Sequence, residues 1–450
     1  RRRYLDAGLL AFTFLFFIVV LWVAATGQSL ATLPPFLVTR LDLVAGYSES
    51  MMTGASNPRD AQLATLFVLY GITLLGGLIY LTSKRRPALT LAWALPIVPL
   101  LLAYKNIFVR YAGRGDMVLP FLLFSVVYYI YLLEVRIPEE ARGRTEPGWG
   151  DQLRHTMIPV LGFLVVSAMS FQGWKIQINN DFFVLHRLFD RNSYNQIMDR
   201  QYIRDLYNLD PAFAARLTPG LTTDIIPRDI ALLFAYDLPW RPRPVIQSYQ
   251  SYTAALDDLD AGYLRGPDAP QQIVYSLSSI DGRNGVFDTP STFRAILDHY
   301  RFDAASADGR YALLVRDPGA PDRQWNWAQA ERARLGEEIR IPRAPGAHVF
   351  MTADVQLTPL GKLMTLVYKP SQLTVQIKLQ GRDAVDFRLI RSTAANGLFV
   401  SNHIGTLGEL REVLDERYDQ DITWVRVLGS RWIYSDRITV NFYELPFDGQ

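Results

Sequence analysis

Three groups of residues in this 450-residue chain have the types and spacing to do chemistry. The first is cationic. Lys105, Arg110 and Arg114 follow one another in Lys105-Asn-Ile-Phe-Val-Arg110-Tyr-Ala-Gly-Arg114, a short segment between two apolar runs. A guanidinium grips phosphate through parallel N–H donors, so this run suits a lipid phosphate or pyrophosphate. Its plainer use is snorkelling to ordinary headgroups, with Asp116 as a local counterion. The second group is acidic: Asp42 and Glu49, the latter in Gly46-Tyr-Ser-Glu49-Ser-Met51. Either carboxylate could deprotonate an acceptor hydroxyl as a general base, or simply cap a short helix.

The third group lies far downstream, in Trp240-Arg-Pro-Arg243-Pro-Val-Ile-Gln247-Ser248-Tyr249 and Ser278-Ser-Ile-Asp281-Gly-Arg283. Ligands gather at loops that follow strands in α/β layers. Arg243, Gln247, Ser248, Tyr249, Asp281 and Arg283 therefore form a candidate set for holding a sugar through hydrogen bonds. Against this, Asp281-Gly282 also suits a tight turn, and Pro-Arg-Pro suits an edge strand. Asp224 and Asp229 read as helix N-caps before they read as catalysts. Trp424, Trp432 and Tyr434 could stack on carbohydrate, but at strand spacing they read as core.

Several function classes are excluded or weakened. Lys and Arg number 46 against 44 Asp and Glu, a net charge of +2 that gives no basic footprint for nucleic acid. Cysteine is absent, which removes disulfides, thiolate metal sites and a Cys nucleophile. The histidines, at 155, 186, 299, 348 and 403, stand singly without metal-ligand spacing, so no metal and no cofactor is expected. No phosphate loop, dinucleotide fingerprint or Gly-x-Ser-x-Gly elbow occurs.

These side chains need elements to hold them, and hydropathy divides the chain into three parts. Residues 1–172 carry five uncharged apolar runs, at 7–25, 61–82, 88–104, 118–133 and 156–171. Read as spans, they predict a five-span α-helical membrane bundle. Arg1–Arg3, Lys84-Arg85-Arg86 and the arginines at 136–154 then fall on the cytoplasmic side. None of the runs carries the internal charge that usually marks a transport path. Residues 173–334 alternate strands (243–249, 272–277, 311–315) with helices (253–264, 291–300), which predicts an extracytoplasmic α/β layer. Residues 335–450 offer short β-branched runs at 349–355, 362–368, 373–379, 386–390, 398–401, 424–428 and 438–443, with one helix at 407–418. They predict a C-terminal β-sandwich or jelly roll. Pro318–Asp322 is the expected linker.

Four segments taken together, Gly46–Met51, Tyr104–Arg110, Pro242–Tyr249 and Ile280–Arg283, carry a resemblance. They look like the C-terminal half of a poorly characterised bacterial multi-pass envelope protein family. That family is similar in layout to C-type glycosyltransferases, which use polyprenyl-phosphate sugars at the outer membrane face. The resemblance implies that membrane lipids, a polyprenyl-phosphate sugar, an envelope glycan and a larger membrane assembly are the partners to expect. It also implies a general base among the acids of the first outer loop, where this chain has Asp42, Glu49 and Asp60. Beside it stands a non-catalytic reading: an envelope scaffold or assembly subunit whose ectodomain binds carbohydrate or protein.

Overall fold

The computed structural model describes residues 2–53, 58–85, 87–110, 118–132, 199–320 and 322–447. Its first part is helical: α1 (Arg2–Thr26), α2 (Leu33–Ser50), α3 (Pro58–Ser83), α4 (Pro87–Ala94), α5 (Ile97–Phe108) and α6 (Val118–Tyr131). Proline opens α2 and α3, where its missing N–H and fixed φ cost a first turn nothing. Pro96 has the opposite effect: it separates α4 from α5 within what hydropathy alone presents as one run.

This overturns the five-span bundle. Among the described residues one helical stretch, Gln62–Ser83 in α3, is long and apolar enough to cross a membrane, with mean hydropathy 2.0. The apolar stretches Leu15–Ala24 in α1 and Leu89–Lys105 are shorter, and α6 has 14 residues. A helix rises only ~1.5 Å per residue, so these fall below the ~20 residues that 30 Å of hydrocarbon demands. The run at 156–171 lies outside the described residues, as do Arg114 and Asp116.

Helices α3, α5 and α6 share an apolar core in which α5 runs back along α3. Phe67, early in α3, stacks 4.9 Å from Tyr104, late in α5, while Trp93 of α4 donates to the carbonyl of Leu74 at 2.8 Å. Tyr129 of α6 in turn donates to the Trp93 carbonyl.

After α7 (Arg200–Tyr207) and α8 (Pro211–Arg216) comes a mixed sheet in the order β1-β2-β4-β3: β1 (Thr223–Ile226), β2 (Gln272–Tyr275), β3 (Tyr300–Ala305) and β4 (Ala312–Arg316). β1 and β2 are parallel and buried at every residue, because α9 (Ala231–Ala235) and α10 (Ala254–Arg265) intervene between them. The short α11 (Gly285–Asp288) leads into α12 (Pro290–His299). Asp257 of α10 accepts the N–H groups of Ser291 and Thr292, so a carboxylate on α10 caps the start of α12. Residues 243–249, expected as a strand, are turns ending in a 3-10 segment, Ser248–Gln250. Prolines 242 and 244 cannot donate to a ladder.

The last part is antiparallel. β5 (Asn326–Arg334), β6 (Glu338–Arg340), β7 (Ala347–Leu357), β8 (Leu373–Leu379), β9 (Ala384–Leu389), β10 (Leu398–Phe399), β11 (Ile422–Leu428) and β12 (Tyr434–Pro446) form two four-stranded sheets, β10-β7-β12-β5 and β6-β11-β8-β9. Their inward residues, among them Phe350, Val375, Ile377, Val425, Val440 and Phe442, belong to one core. Two helices interrupt the strands: α13 (Pro359–Val367) and α14 (Leu407–Leu414), the latter opened by a Thr406/Glu409 capping box. The expected strand at 362–368 is therefore the helix α13. Its start is written in Thr358-Pro359, an N-cap followed by an N1 proline.

Candidate functional site

The sequence-flagged residues converge where the helices meet the sheets. The last turns of α2 dock into the sheet-bearing half, burying Ser48, Glu49, Ser50, Met51 and Met52. Gly46 makes this approach possible, since a Cβ there would sit 2.5 Å from Cβ of Tyr252. Met51 enters an apolar seat of Val245, Tyr252 and Leu256. A helix end leaves its final carbonyls without intrahelical partners and carries partial negative charge. Cations from downstream answer both needs. Arg388 donates to the carbonyls of Glu49 at 3.0 Å and Ser50 at 2.7 Å, and Arg283 donates to Ser50 O as well. Arg391 takes the Glu49 carboxylate through its backbone N–H and its guanidinium, both at 3.1 Å.

A second seam joins α5 to α13 by an exchange of lysines. Lys105, in the last turn of α5, donates to the carbonyls of Thr365 and Leu366 that end α13. Lys369, just past α13, donates to Phe108 O at 3.1 Å and Val109 O at 3.3 Å, which end α5, and to Thr53 O at 2.7 Å. Each helix is thus capped by a lysine from the other. Tyr368 lies 5.2 Å from Tyr104, so the seam also carries an aromatic contact. Burial, reinforced by Arg388, pulls Lys369 down to about 8; burial, reinforced by Arg283, pulls Arg388 down to about 10. Both are desolvated cations whose compensation comes mainly from backbone carbonyls.

Between the seams lies the turn Ile280–Arg283. Asp281 and Gly282 have φ of 54° and 73°, and Arg283 N donates to Ile280 O, which makes the tight turn that Asp-Gly favours. The turn presents Asp281 to Arg110 at 3.9 Å and to Arg388 at 3.8 Å, longer than hydrogen-bonding distance. Arg283 stands 3.6 Å from Asp288, a carboxyl that burial raises to about 6 despite that arginine. Arg110, 39% exposed, is the part of this cluster that faces water.

Arg243 belongs to a different centre. It is fully buried, and it donates to Asp224 at 2.8 Å, to the carbonyls of Ile225, Pro227 and Ile246, and to Ser248 Oγ at 3.0 Å. Asp260 lies 3.5 Å from its Nε and accepts Val245 N at 2.7 Å. Gln247 accepts from Gln250 at 2.8 Å and from the Tyr249 hydroxyl, and Tyr249 lends its carbonyl to Arg283. Asp224 is no helix N-cap: it sits in β1 and binds Arg243 and the Trp240 indole. Asp229 accepts the hydroxyl of Tyr311.

The structure therefore brings Glu49, Lys105, Arg110, Tyr249, Asp281 and Arg283 to one junction. It leaves Arg243 and Ser248 inside the mixed-sheet unit. Asp42, two turns before Glu49 on α2, takes no part in the bonds joining the described residues at the junction. Lys369, Arg388 and Arg391 were not singled out by sequence. One signal existed for Lys369: lysine occurs only at 84, 105, 175, 362, 369 and 378, and the seam uses two of the six. Tyr434 is core, as its strand spacing suggests, but Trp432 is exposed. Trp424 lines a cavity of about 240 Å³ with Arg340, Arg343 and Gln420. Among the described residues no group of His, Asp and Glu is placed to hold a metal ion. No protein-family model matches the chain, and comparison with curated proteins and with solved structures also finds no match.

Proposed function

We propose that the chain is a membrane-anchored cell-envelope protein of the scaffold or assembly type, in which an ectodomain that binds carbohydrate or protein is mounted at a fixed attitude on the helices. One observation carries the reading: the junction's buried cations are spent on helix-terminal carbonyls and on Glu49, the acid best placed to have been a base. Both of its carboxylate oxygens are already engaged, one by the backbone N–H of Arg391 and one by that residue's guanidinium, so the group is committed to the junction and not open to an acceptor hydroxyl. The position of the charges supports an outward ectodomain. Both seams are at one end of the α3–α5 hairpin, and Lys84-Arg85 is at the other, where the positive-inside rule puts the cytoplasm of a bacterial inner or plasma membrane.

A second reading, handling of a polyprenyl-phosphate sugar in the manner of a C-type glycosyltransferase, is favoured by the loosely paired, water-facing Arg110 beside Asp281. The deciding experiment titrates a polyprenyl-phosphate sugar onto the full chain in nanodiscs, with Arg110→Ala alongside. The scaffold reading expects no saturable binding to either. Saturable binding that vanishes in Arg110→Ala overturns it in favour of the lipid-sugar site. Anchoring itself is checked by alkaline carbonate washing of membranes, which should leave the chain in the pellet.

A further inference from the structure

Helix α13 has two faces of opposite character. One is pressed onto the sheets: a Cβ at Gly361 would lie 2.0 Å from Ile433 O, and Met364 packs against the core. The other carries Leu360, Leu363, Leu366 and Val367 at helical spacing, 45%, 55%, 69% and 41% exposed. Trp432 is 78% exposed, and its carbonyl accepts from Thr358 Oγ1, the N-cap of α13, at 2.6 Å. Among described residues 322–447, every exposed large apolar side chain except Trp327 belongs to α13 or to this neighbouring tryptophan. Lys362 and Arg431 are exposed beside them. An apolar helical stripe, an exposed indole and flanking cations form the composition of an interfacial anchor.

The position of α13 names the occupant. The lysine exchange ties its C-terminus to the end of α5, and Tyr368 meets the Phe67–Tyr104 stack near the start of the stretch in α3 that is long enough to cross a membrane. The apolar face of α13 is therefore held at the level where that stretch would enter the headgroups. We infer that α13 and Trp432 lie in the headgroup layer of the membrane that α3 crosses, so that the two-sheet unit rests on lipid as well as on protein. This inference builds on the anchored reading above.

The chain lacks cysteine, so single labels are unambiguous. Leu366→Cys, Leu69→Cys in α3 and Glu412→Cys on the exposed side of α14 would each receive an environment-sensitive nitrobenzoxadiazole. The full chain would then be placed in phosphatidylethanolamine–phosphatidylglycerol nanodiscs, with and without doxyl-labelled lipid. The expected result at 366 is blue-shifted emission and loss of intensity with doxyl lipid, with neither at 412. Water-like emission at 366 alongside quenching at 69 overturns the inference and leaves the anchoring intact. A blue shift at 366 without quenching also overturns it, since protein and not lipid then covers the face. An unquenched label at 69 removes the anchored reading itself.

Discussion

Two buried arginine centres, Arg243 in the mixed-sheet unit and Arg388 with Arg283 at the junction, meet the cost of desolvating a guanidinium with different partners. Arg243 is paired with Asp224 from its own unit, with Asp260 of the same unit 3.5 Å from its Nε, and its remaining donors go to carbonyls within about twenty residues of it. Arg388 finds its nearest partners 338 and 339 residues upstream, on the last carbonyls of α2. Its carboxylate, Asp281, stays at 3.8 Å. A buried ion pair within one unit is a folding device, strongly missed when one member is removed. A cation reaching the end of another unit's helix is a joint, stabilised by a partial charge and by carbonyls that had no other partner. Residue type alone does not separate the two; the ownership of the partners does.

The most severe way to break the comparison is Arg243→Met. It leaves Asp224 and Asp260 buried without their cation and should cost ~3–5 kcal/mol, read as a lowered denaturation midpoint of the full chain. Arg388→Met should cost less, about 1.5–3 kcal/mol for hydrogen bonds from a charged donor. Its signature should be local: faster amide exchange over residues 46–52, with the strands of the two sheets still protected. Global unfolding by Arg388→Met, or selective loosening of α2 by Arg243→Met, would erase the distinction between folding device and joint.

A further test concerns pH. Burial raises Asp260 from 3.8 to about 7, against the opposing pull of Arg243. Between those values the folded state holds a proton that the unfolded chain releases. This contribution to stability is therefore complete below about pH 4 and is lost as pH rises toward 7, at no more than ~1.4 kcal/mol per unit. Asp260→Asn should flatten the slope of denaturation midpoint against pH in that window. An unchanged slope would assign the titration elsewhere.

Much of the mixed-sheet unit was legible because its strands and helices differ in period. Gln272–Tyr275 is a short apolar run, whereas Ala254–Arg265 repeats leucine at helical spacing behind a Thr cap. β5 was not legible: Asn326–Arg334 alternates Ala with Gln, Glu and Arg on a largely exposed strand, so its strand character comes from pairing with β12. α13 was misread because Leu-Met-Thr-Leu-Val has strand-like composition, and Thr358-Pro359 outweighs it. The count of spans failed on length: among the described residues one stretch, Gln62–Ser83, is long and apolar enough, and Pro96 divides another run. At the junction the chemistry-bearing residues were visible and their proximity was not. Contacts between residue 49 and residues 388–391 leave no local pattern for a reader to find.

The lysine exchange has a consequence in time. α5 is made early, yet the side chain that caps its last turn leaves the ribosome 261 residues after Phe108. At 5–20 residues per second that is a delay of roughly 13–50 s. Until then Val109 O has the N–H of Thr53 at 3.1 Å, and the lysine's bonds to Thr53 O, Phe108 O and Val109 O are still to form. A chain cut short before Lys369 would carry its helices without that lysine cap. Arrival of the last unit is therefore recorded at the end of α5, in a lysine cap that only that unit supplies.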